Sequence, residues 1–332
     1  MIDELSALRL IEESFPPLSP NVSLGIGDDA TALKHDPTKL LLVTTDTQAE
    51  NVHFTLDLLS AGELARKALA VSVSDIGAMG GEPTFFLCTL GFTKSVDTTF
   101  LKGLIEGFRL ASKEFETELV GGNVTASSAL FIEITVLGEV EPDVVVKRTG
   151  ASPGDAVYVT GTLGDSSLGL KAIKSKCSAS PHRDHLITRH THPYPRLAIG
   201  RKLALRGLPS SMIDISDGLL LDLQRITSPQ ELGAEIHLDR LPISEPYRVL
   251  QPQISNLGFY TEALSGGEDY ELLFTAPLSR LSSIDELSRQ EGISITNIGQ
   301  ITDKSKIRVI DPQGRELKTD LRGYIHKGIQ DE

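Results

Sequence analysis

Residues 39–46 read KLLLVTTD, an apolar and β-branched run that stops at polar residues. Such a run is typical of a buried strand that leads into a functional loop. Residues 60–63, SAGE, then have the pattern of a capping box, and apolar residues at helical spacing follow as far as the glycine pair at 80–81. A buried strand followed by a helix is the first sign of a mixed α/β unit.

Elements of the same two kinds extend in both directions from this stretch. The predicted neighbours are helices over 1–15 and 97–115 and strands over 84–92 and 129–140. The turn-rich segment KRTGASPGD, 147–155, separates them from a second series of strands and helices that opens with DAVYVTG. We therefore predict two mixed α/β domains, residues 1–148 and residues 149–332.

The composition is that of an ordinary globular chain. At the usual length of roughly 100 to 200 residues per domain, 332 residues suffice for about two domains. The first fifteen residues are acidic and amphipathic, and no apolar run is long enough for a membrane span, so we expect a cytoplasmic protein without a membrane partner. Cys88 and Cys177 are too few for a disulfide framework or a four-cysteine zinc site.

The net charge of −13 limits the possible partners. A surface this acidic repels polyanions, and no basic stripe offsets it, so no nucleic-acid partner is expected. If the ligand carries phosphate, a cation has to mediate its binding. Acidic composition alone, however, is also what solubility requires.

Several carboxylate-rich motifs are candidates for cation binding. GIGDDA at 25–30 formally matches a dinucleotide-binding fingerprint, but its paired aspartates would repel a pyrophosphate. The same pair suits Mg²⁺, which prefers oxygen ligands, although an aspartate-rich turn is an alternative. Thr44, Thr45 and Asp46 follow the first predicted strand, and Asp75 lies in an otherwise apolar helix, where it faces either solvent or a site.

Two further acidic motifs lie in the second half. SMIDISDG at 211–218 places Asp214 and Ser216 on one face of an extended segment and Asp217 at the start of a helix. Helix capping accounts for one of these two carboxylates but not for both. GGEDYE at 266–271 brings together three carboxylates, which would repel one another without counter-cations.

Candidate phosphate-binding segments are less specific. Neither a Walker A motif nor a protein-kinase motif is present. The backbone amides of GTLGDSSLG, 161–169, either line an anion or make a tight turn, and Gly121-Gly122-Asn123 leaves the same alternatives open. Arg148 suits a phosphate clamp but also an ordinary surface position, and His53 is a weak ligand candidate.

Taken in order, eight motifs resemble the series found in the thiamine-monophosphate kinase family. They are GIGDDA, TTDTQAENVHF, ALAVSVSDIGAMG, GGNVT, KRTGASPGD, VTGTLGDS, SMIDISDGL and SGGEDYEL. The family belongs to the superfamily of aminoimidazole ribonucleotide synthetase and selenophosphate synthetase. The resemblance implies that fold, a homodimer formed through the N-terminal sheets, and the last step of thiamine diphosphate biosynthesis, in which ATP phosphorylates thiamine monophosphate.

The resemblance also implies functional residues. The family's magnesium ligands correspond to Asp29, Thr44, Thr45, Asp46, Asp75, Asp214 and Asp217, and Asn123 stands where many members have a further aspartate. ATP contacts correspond to Gly122, Asn123, Arg148 and Ser216, and thiamine phosphate contacts to His53, Glu268 and Tyr324. Ile105 occupies a position that is often aromatic near the nucleotide, and we assign it no stacking role.

The implied reaction explains why no catalytic base stands out. A phosphate monoester has a second pKa of about 6, so the acceptor is an anionic nucleophile at neutral pH. We expect direct in-line transfer assisted by Mg²⁺, without a phosphoenzyme. Alternatives are another acceptor within the superfamily, a cation-binding protein without turnover, and an inactive dimeric scaffold.

Overall fold

The computed structural model describes residues 4–15, 19–27, 29–94, 96–175 and 177–317. The chain divides into two compact units, one of Met1–Gly77 with Gly81–Val145 and one of Ala78–Gly80 with Val146–Glu332. Both units combine helices with a β-sheet, so the mixed α/β fold class is confirmed. The division into domains 1–148 and 149–332 is a statement about which parts of the chain fold separately, and this division stays a prediction.

The first unit is built on a four-stranded sheet. Its elements are α1 (Glu4–Ser14), β1 (Val22–Leu24), β2 (Ala32–Leu33), β3 (Leu40–Ala49), α2 (Ala61–Ala78), β4 (Glu82–Phe92), α3 (Thr98–Glu114), β5 (Glu118–Ala126) and β6 (Phe131–Val140). The sheet order is β3-β6-β4-β5, and only the β4–β5 pair is parallel. Alternate residues of β6, among them Ile132 and Ile134, are fully buried, whereas Val43 on β3 is 61% exposed. One face of this sheet therefore carries the core and the other is open.

Local sequence signals explain how the helices of this unit begin. Ser60 and Glu63 form the predicted capping box before α2, with Ser60 N donating to Glu63 Oε2 at 2.8 Å and Glu63 N donating to Ser60 Oγ at 3.3 Å. Asp97 caps α3 by accepting a hydrogen bond from Phe100 N. Both helix starts agree with the prediction from sequence.

The predicted end of the first strand is wrong. β3 does not stop at Asp46 but continues to Ala49, paired with β6 along its whole length. Thr45 and Thr47 favour this continuation because β-branched residues pack well in a paired strand. The GGNV segment likewise lies inside β5 and forms no loop, so Gly122 and Asn123 are strand residues.

The second unit contains a larger sheet. Its elements are β7 (Ala156–Thr160), α4 (Asp165–Lys174), α5 (Pro181–Thr191), α6 (Leu197–Leu205), β8 (Ser211–Asp214), α7 (Leu219–Thr227), β9 (Gly233–His237), α8 (Glu245–Ile254), α9 (Thr261–Ser265), β10 (Leu272–Ala276), α10 (Leu281–Glu291), β11 (Ile295–Thr302), β12 (Ile307–Ile310) and β13 (Glu316–Leu317). The strand order is β13-β12-β9-β11-β7-β10-β8, with a single parallel pair, β12 and β9. Every residue of β7, β8 and β10 is buried, which places the core around these strands.

Two further features of the chain concern its helices and its cysteines. Within the described parts of the chain, no helix combines the length and apolar character needed to cross a bilayer. Cys88 is buried, Cys177 is partly buried, and both are free thiols.

Candidate functional site

Three of the predicted metal ligands come together in the first unit. Thr44 and Asp46 alternate along β3 and therefore share a face of the sheet, the face on which α2 lies. Thr44 Oγ1 donates a 2.5 Å hydrogen bond to Oδ2 of Asp75, which is half-buried on α2. Asp75 thus faces the sheet rather than solvent, which resolves the alternative left open by the sequence.

The two carboxylates of this cluster are poorly neutralised. Asp46 Oδ2 is buried and has no hydrogen-bond partner within the described residues. Burial, and then the negative charge of Asp75, raise the pKa of Asp46 to about 6, while the neighbouring Ser72 hydroxyl opposes the shift. In the part of the chain that the structure describes, no cationic side chain pairs with Asp46 or Asp75. A bound cation would supply the missing charge.

The other candidate ligands of the first unit are arranged differently. Thr45 lies on the opposite face of β3, where its hydroxyl is 3.1 Å from that of Thr135, so its side chain points away from Asp46. Asp29 is exposed in the segment before β2. His53 is half-buried, and its Nδ1 accepts a hydrogen bond from Ala49 N at 3.1 Å, which places the proton of the neutral ring on Nε2.

A second feature of this unit is an apolar cavity of about 60 Å³ beside Gly122 and Asn123. A Cβ atom on Gly122 would lie 1.9 Å from the Cys88 carbonyl oxygen, so only glycine permits this close approach of β5 to β4. Ile105, which the resemblance places near the nucleotide without a stacking role, lies in the cavity wall. The lining residues are Leu8, Ile11, Phe15, Ile26, Cys88, Leu90, Leu104, Ile105, Phe108, Leu119, Gly121, Gly122, Asn123 and Val124.

The register of the sheet fixes the distance between these two features. Asp46 pairs with Ile134, Ile134 with Cys88, and Cys88 with Gly122, so the row spans three strand spacings. At about 4.8 Å per spacing the backbones of Asp46 and Gly122 are roughly 14 Å apart. Asn123 and Asp46 therefore cannot ligate one and the same ion within this unit. A ligand that reaches both has to be extended.

In the second unit, two predicted motifs are joined by backbone hydrogen bonds. Glu268 N donates to Ser216 O at 2.7 Å. Tyr270 N donates to Ile215 O at 2.9 Å, and Ile215 N donates to Glu271 O at 2.8 Å. Asp214, at the end of β8, is 3% exposed. The structure thus brings Asp214, Ser216, Asp217 and Glu268 into one neighbourhood, and their assigned roles stay a prediction.

Asp222 holds the loop between β8 and α7 and was missed from sequence. Its Oδ2 accepts hydrogen bonds from the backbone amides of Ser216, Asp217 and Gly218 at 3.0 to 3.1 Å. Burial raises the pKa of Asp222 to about 6, although the charge of Arg225 opposes the shift. Asp217 does not cap α7: the N-cap residue is Gly218, and the Asp217 carboxylate pairs with Arg225. The only feature of the sequence that could have indicated this role was an aspartate in the first turn of α7, Asp222 itself.

The acidic segment 268–271 is neutralised by the protein itself. The Asp269 carboxylate accepts hydrogen bonds from Gly164 N at 2.7 Å and Ser166 N at 3.2 Å, and burial raises its pKa to about 8. These two amides of the 161–169 loop are therefore occupied by an internal carboxylate. Glu271, 1% exposed, pairs with Arg189 at 2.8 Å and Arg196 at 2.6 Å. For this segment, the counter-cations expected from the sequence are therefore arginine side chains from elsewhere in the unit.

Glu268 is the most accessible of the three carboxylates, with 26% of its side chain exposed. It adopts a left-handed backbone conformation, φ 66°, and its Oε2 is 3.2 Å from His190 Nδ1. Such a backbone costs energy in a non-glycine residue and is often found at binding sites. The Glu268 carboxylate therefore lies against His190 while part of its side chain remains exposed.

Arg148 and Tyr324 are the remaining predicted contact residues. Arg148 is exposed. The backbone carbonyl of the preceding residue, Lys147, accepts a hydrogen bond from the backbone N–H of Met212 in β8. Tyr324 lies outside the described residues. Within those residues, no group of three or more His, Cys, Asp or Glu side chains is arranged so that it could hold a metal ion.

The chain is similar to known proteins along nearly its whole length. Residues 27–140 match the AIR synthase related protein, N-terminal domain, and residues 152–312 match the C-terminal domain. The thiamine-monophosphate kinase of Escherichia coli (strain K12) is 37% identical over 92% of both chains. The crystal structure of thiamine-monophosphate kinase from Stenotrophomonas maltophilia K279a superposes with a TM-score of 0.79, at 30% identity, over 91% of this chain and 94% of that one. The structure of AaThiL complexed with AMPPCP and TMP superposes with a TM-score of 0.77, at 30% identity, over 98% and 97%.

Proposed function

The chain belongs to the thiamine-monophosphate kinase family, and we propose that it transfers the terminal phosphoryl group of ATP to thiamine monophosphate. The products are ADP and thiamine diphosphate, so this is the last step of thiamine diphosphate biosynthesis. The observation that carries the proposal is the similarity of 98% of the chain to a structure complexed with AMPPCP and TMP, at 30% identity. Within this chain, the Asp46–Asp75 pair and the cavity at Gly122 give it a physical basis.

The reaction needs positioning and charge compensation more than proton transfer. The acceptor phosphate, with a second pKa of about 6, is already anionic at neutral pH, so no side chain has to deprotonate it. We propose that its oxygen attacks the γ-phosphorus directly and in line, without a phosphorylated side chain. The residues of the site then have to hold two anionic groups close together.

The Asp46–Asp75 pair fits a magnesium ion. An oxygen-only donor set of two carboxylates and the Thr44 hydroxyl is the chemistry that Mg²⁺ prefers, and Asp46 Oδ2 has no other partner within the described residues. When bound, Mg²⁺ supplies positive charge that neutralises phosphate oxygens. We propose Asp29, Thr44, Thr45, Asp46, Asp75 and Asn123 as magnesium ligands in the first unit, and Asp214 and Asp217 as magnesium ligands in the second. Because of the sheet register, Asn123 would serve a different ion from Asp46.

For the nucleotide we propose that the cavity holds the adenine ring. Its walls are mostly apolar, and a flat base gains from burial against aliphatic side chains such as Ile105. Gly122 and Asn123 would contact the nucleotide at the cavity, and Arg148 and Ser216 are the proposed contacts in the second unit. A guanidinium suits phosphate because it donates two parallel hydrogen bonds.

For thiamine monophosphate we propose contacts from His53, Glu268 and Tyr324. Thiamine carries a permanent positive charge on its thiazolium ring, and the partly exposed carboxylate of Glu268 is the complementary group. The Nε2–H of His53 is a donor suited to a phosphate oxygen.

We also propose that the protein is a homodimer in the cytoplasm. The open face of the first sheet carries Leu41 and Val43, which are 47% and 61% exposed, and apolar side chains on an uncovered sheet favour association. Two free thiols agree with a reducing compartment. Sedimentation of the purified protein at several concentrations tests the dimer.

The activity is tested by incubating the protein with ATP, Mg²⁺ and thiamine monophosphate, and separating the products by chromatography. We expect ADP and thiamine diphosphate in equal amounts, and neither product with EDTA present. ADP without thiamine diphosphate would retain the ATP site but indicate a different acceptor. Absence of ADP would contradict the enzymatic function.

A further inference from the structure

Gln48 has a buried carbonyl oxygen that nothing in the described chain satisfies. The residue is 5% exposed, and its Oε1 has no hydrogen-bond partner among the described residues. Leaving such an acceptor unpaired in the interior is costly, because the oxygen has lost its hydrogen bonds to water. An interior position on a strand is ordinarily apolar, so this glutamine requires a reason.

The position of Gln48 connects it with the acidic pair. Side chains alternate along a strand, so Gln48 lies on the same face of β3 as Thr44 and Asp46. It is the next residue on that face after Asp46, about 7 Å further along the strand. Asp46 Oδ2 is buried and unpartnered as well. Two neighbouring positions therefore present two unsatisfied acceptors on the buried side of the sheet.

The missing partner has to be electropositive. Neither a carboxylate oxygen nor an amide oxygen can donate a hydrogen bond, so these two atoms cannot satisfy each other. A single water would satisfy both oxygens but would leave the charges of Asp46 and Asp75 unbalanced. A hydrated divalent cation supplies both the positive charge and the donor O–H groups, since Mg²⁺ keeps several of its waters when bound to protein.

We propose that Gln48 Oε1 is a further oxygen partner of a hydrated divalent cation held by Asp46 and Asp75, either directly or through one of its waters. This inference rests on the proposed magnesium site and adds to it a residue that the family resemblance does not supply. Gln48 then acts in cation binding, and its burial without a protein partner is the cost of that role.

The test compares Gln48→Leu with a control that removes an equally orphaned atom elsewhere. Thr117 is 2% exposed, its Oγ1 is also buried without a partner in the described structure, and it precedes β5 at the far edge of the same sheet. Gln48→Leu and Thr117→Val each delete an unsatisfied polar atom at similar volume. Without metal, both variants should therefore melt at the same temperature as the wild type or a few degrees higher.

The discriminating measurement is binding of Mn²⁺ alone, followed by electron paramagnetic resonance with Mg²⁺ as competitor. The relevant site is the one that Asp46→Asn removes. We expect Gln48→Leu to weaken this site roughly tenfold, Thr117→Val to leave it unchanged, and Gln48→Glu, which adds a negative charge, to strengthen it.

Two results would overturn the proposal. Wild-type Mn²⁺ affinity in Gln48→Leu would mean that the glutamine holds only a water, and a lower metal-free melting temperature in Gln48→Leu but not in Thr117→Val would mean that it bonds within the protein. Failure of the proposed kinase function is a separate outcome, since it would be seen in the wild type as Mn²⁺ binding without formation of thiamine diphosphate.

Discussion

Carboxylates are clustered in both units of this chain, but they are neutralised in different ways. In the second unit, Glu271 lies between Arg189 and Arg196, and Asp269 accepts hydrogen bonds from two backbone amides. In the first unit, Asp46 and Asp75 have no cationic partner among the described side chains, and one oxygen of Asp46 bonds to nothing there.

This difference separates carboxylates that support the fold from carboxylates that await a ligand. A shifted pKa alone does not make the distinction, because burial raises the pKa of Asp269 to about 8 and that of Asp46 to about 6. The hydrogen-bond partners of the two carboxylates make this distinction. Asp269 and Glu271 are satisfied within the protein, so a ligand would gain little there, whereas a cation at Asp46 would relieve both repulsion and an unmade bond.

The largest expected effect concerns Asp46. Asp46→Asn removes a charge needed for the cation, so turnover should fall roughly 1,000-fold, equivalent to about 4 kcal/mol of transition-state stabilisation. Because the substitution also removes repulsion with Asp75, the melting temperature without metal should not fall. Steady-state kinetics and calorimetry measure both, with exposed Asp57→Asn as the control. Near-normal turnover would exclude Asp46 from the metal site.

Glu271→Ala should mainly lower the stability of the fold, whereas Asp46→Asn should mainly lower turnover. The substitution leaves two arginines, each with only 16% of its side chain exposed, without their carboxylate. Removing one partner of a buried ion network typically costs about 3 to 5 kcal/mol, so the free energy of unfolding should fall by that amount. Urea denaturation measures it. A loss below about 1 kcal/mol would mean that solvent, not Glu271, neutralises the arginines.

The pH dependence of metal stabilisation sharpens the comparison further. The folded-state pKa of Asp46, about 6, exceeds its ordinary value of 3.8, so the stability contributed by the protonated group is present below pH 4 and is lost as the pH rises through 6. Mg²⁺ binds the ionised pair. It should therefore raise the melting temperature little at pH 5 and by several degrees at pH 7.5.

Asp46→Asn is the control for this pH profile, because it should lose the Mg²⁺-induced shift at pH 7.5. Asp269 titrates in a higher range but is satisfied by backbone amides, so Asp269→Asn should retain the dependence on Mg²⁺. Equal shifts by Mg²⁺ at pH 5 and pH 7.5 in the wild type would contradict the assignment of the metal to this pair.

A smaller effect is expected for Glu268, the partly exposed neighbour of the buried acids. Glu268→Ala should raise the KM for thiamine monophosphate roughly tenfold, about 1.4 kcal/mol, because the thiazolium loses its counter-charge. The KM for ATP should stay within about twofold, since the Ser216 carbonyl bonds the Glu268 backbone and not its side chain. Equal increases in both constants would mean that the segment has moved, and Glu268→Gln distinguishes charge from shape.

Sequence reasoning succeeded where a pattern has a local cause. The capping box at Ser60 and the Asp97 cap follow from side chains that bond amides three residues away, and both helix starts are found as predicted. The end of β3 was misplaced because pairing with β6 keeps polar residues in the strand, and pairing is a tertiary property. For the same reason, no local pattern indicated that Gly122 is a strand residue.

The partners of the acidic residues are the other part that sequence could not supply. Asp269 is more than 100 residues from the amides of Gly164 and Ser166 that it accepts from, and Glu271 is 75 residues from Arg196. No spacing rule reaches that far. The family resemblance identified Asp46 and Asp75 as members of one ligand set. Only the structure shows that these two carboxylates lack a counter-charge among the described residues, whereas the equally dense 268–271 segment has one.

The smallest expected effect concerns Thr160. It tests whether Glu271 is held by its two arginines alone or by the arginines together with Thr160. Thr160 is fully buried, donates to Glu271 Oε2 at 2.7 Å and accepts from Leu272 N at 2.8 Å. Thr160→Val keeps the shape but leaves that amide unpaired, so the free energy of unfolding should fall by about 1 to 2 kcal/mol, less than in Glu271→Ala. Turnover should be unchanged, because both arginines still hold the carboxylate. Thermal denaturation of both single variants and the double variant measures the coupling, and additive losses would mean that Thr160 acts on Leu272 alone.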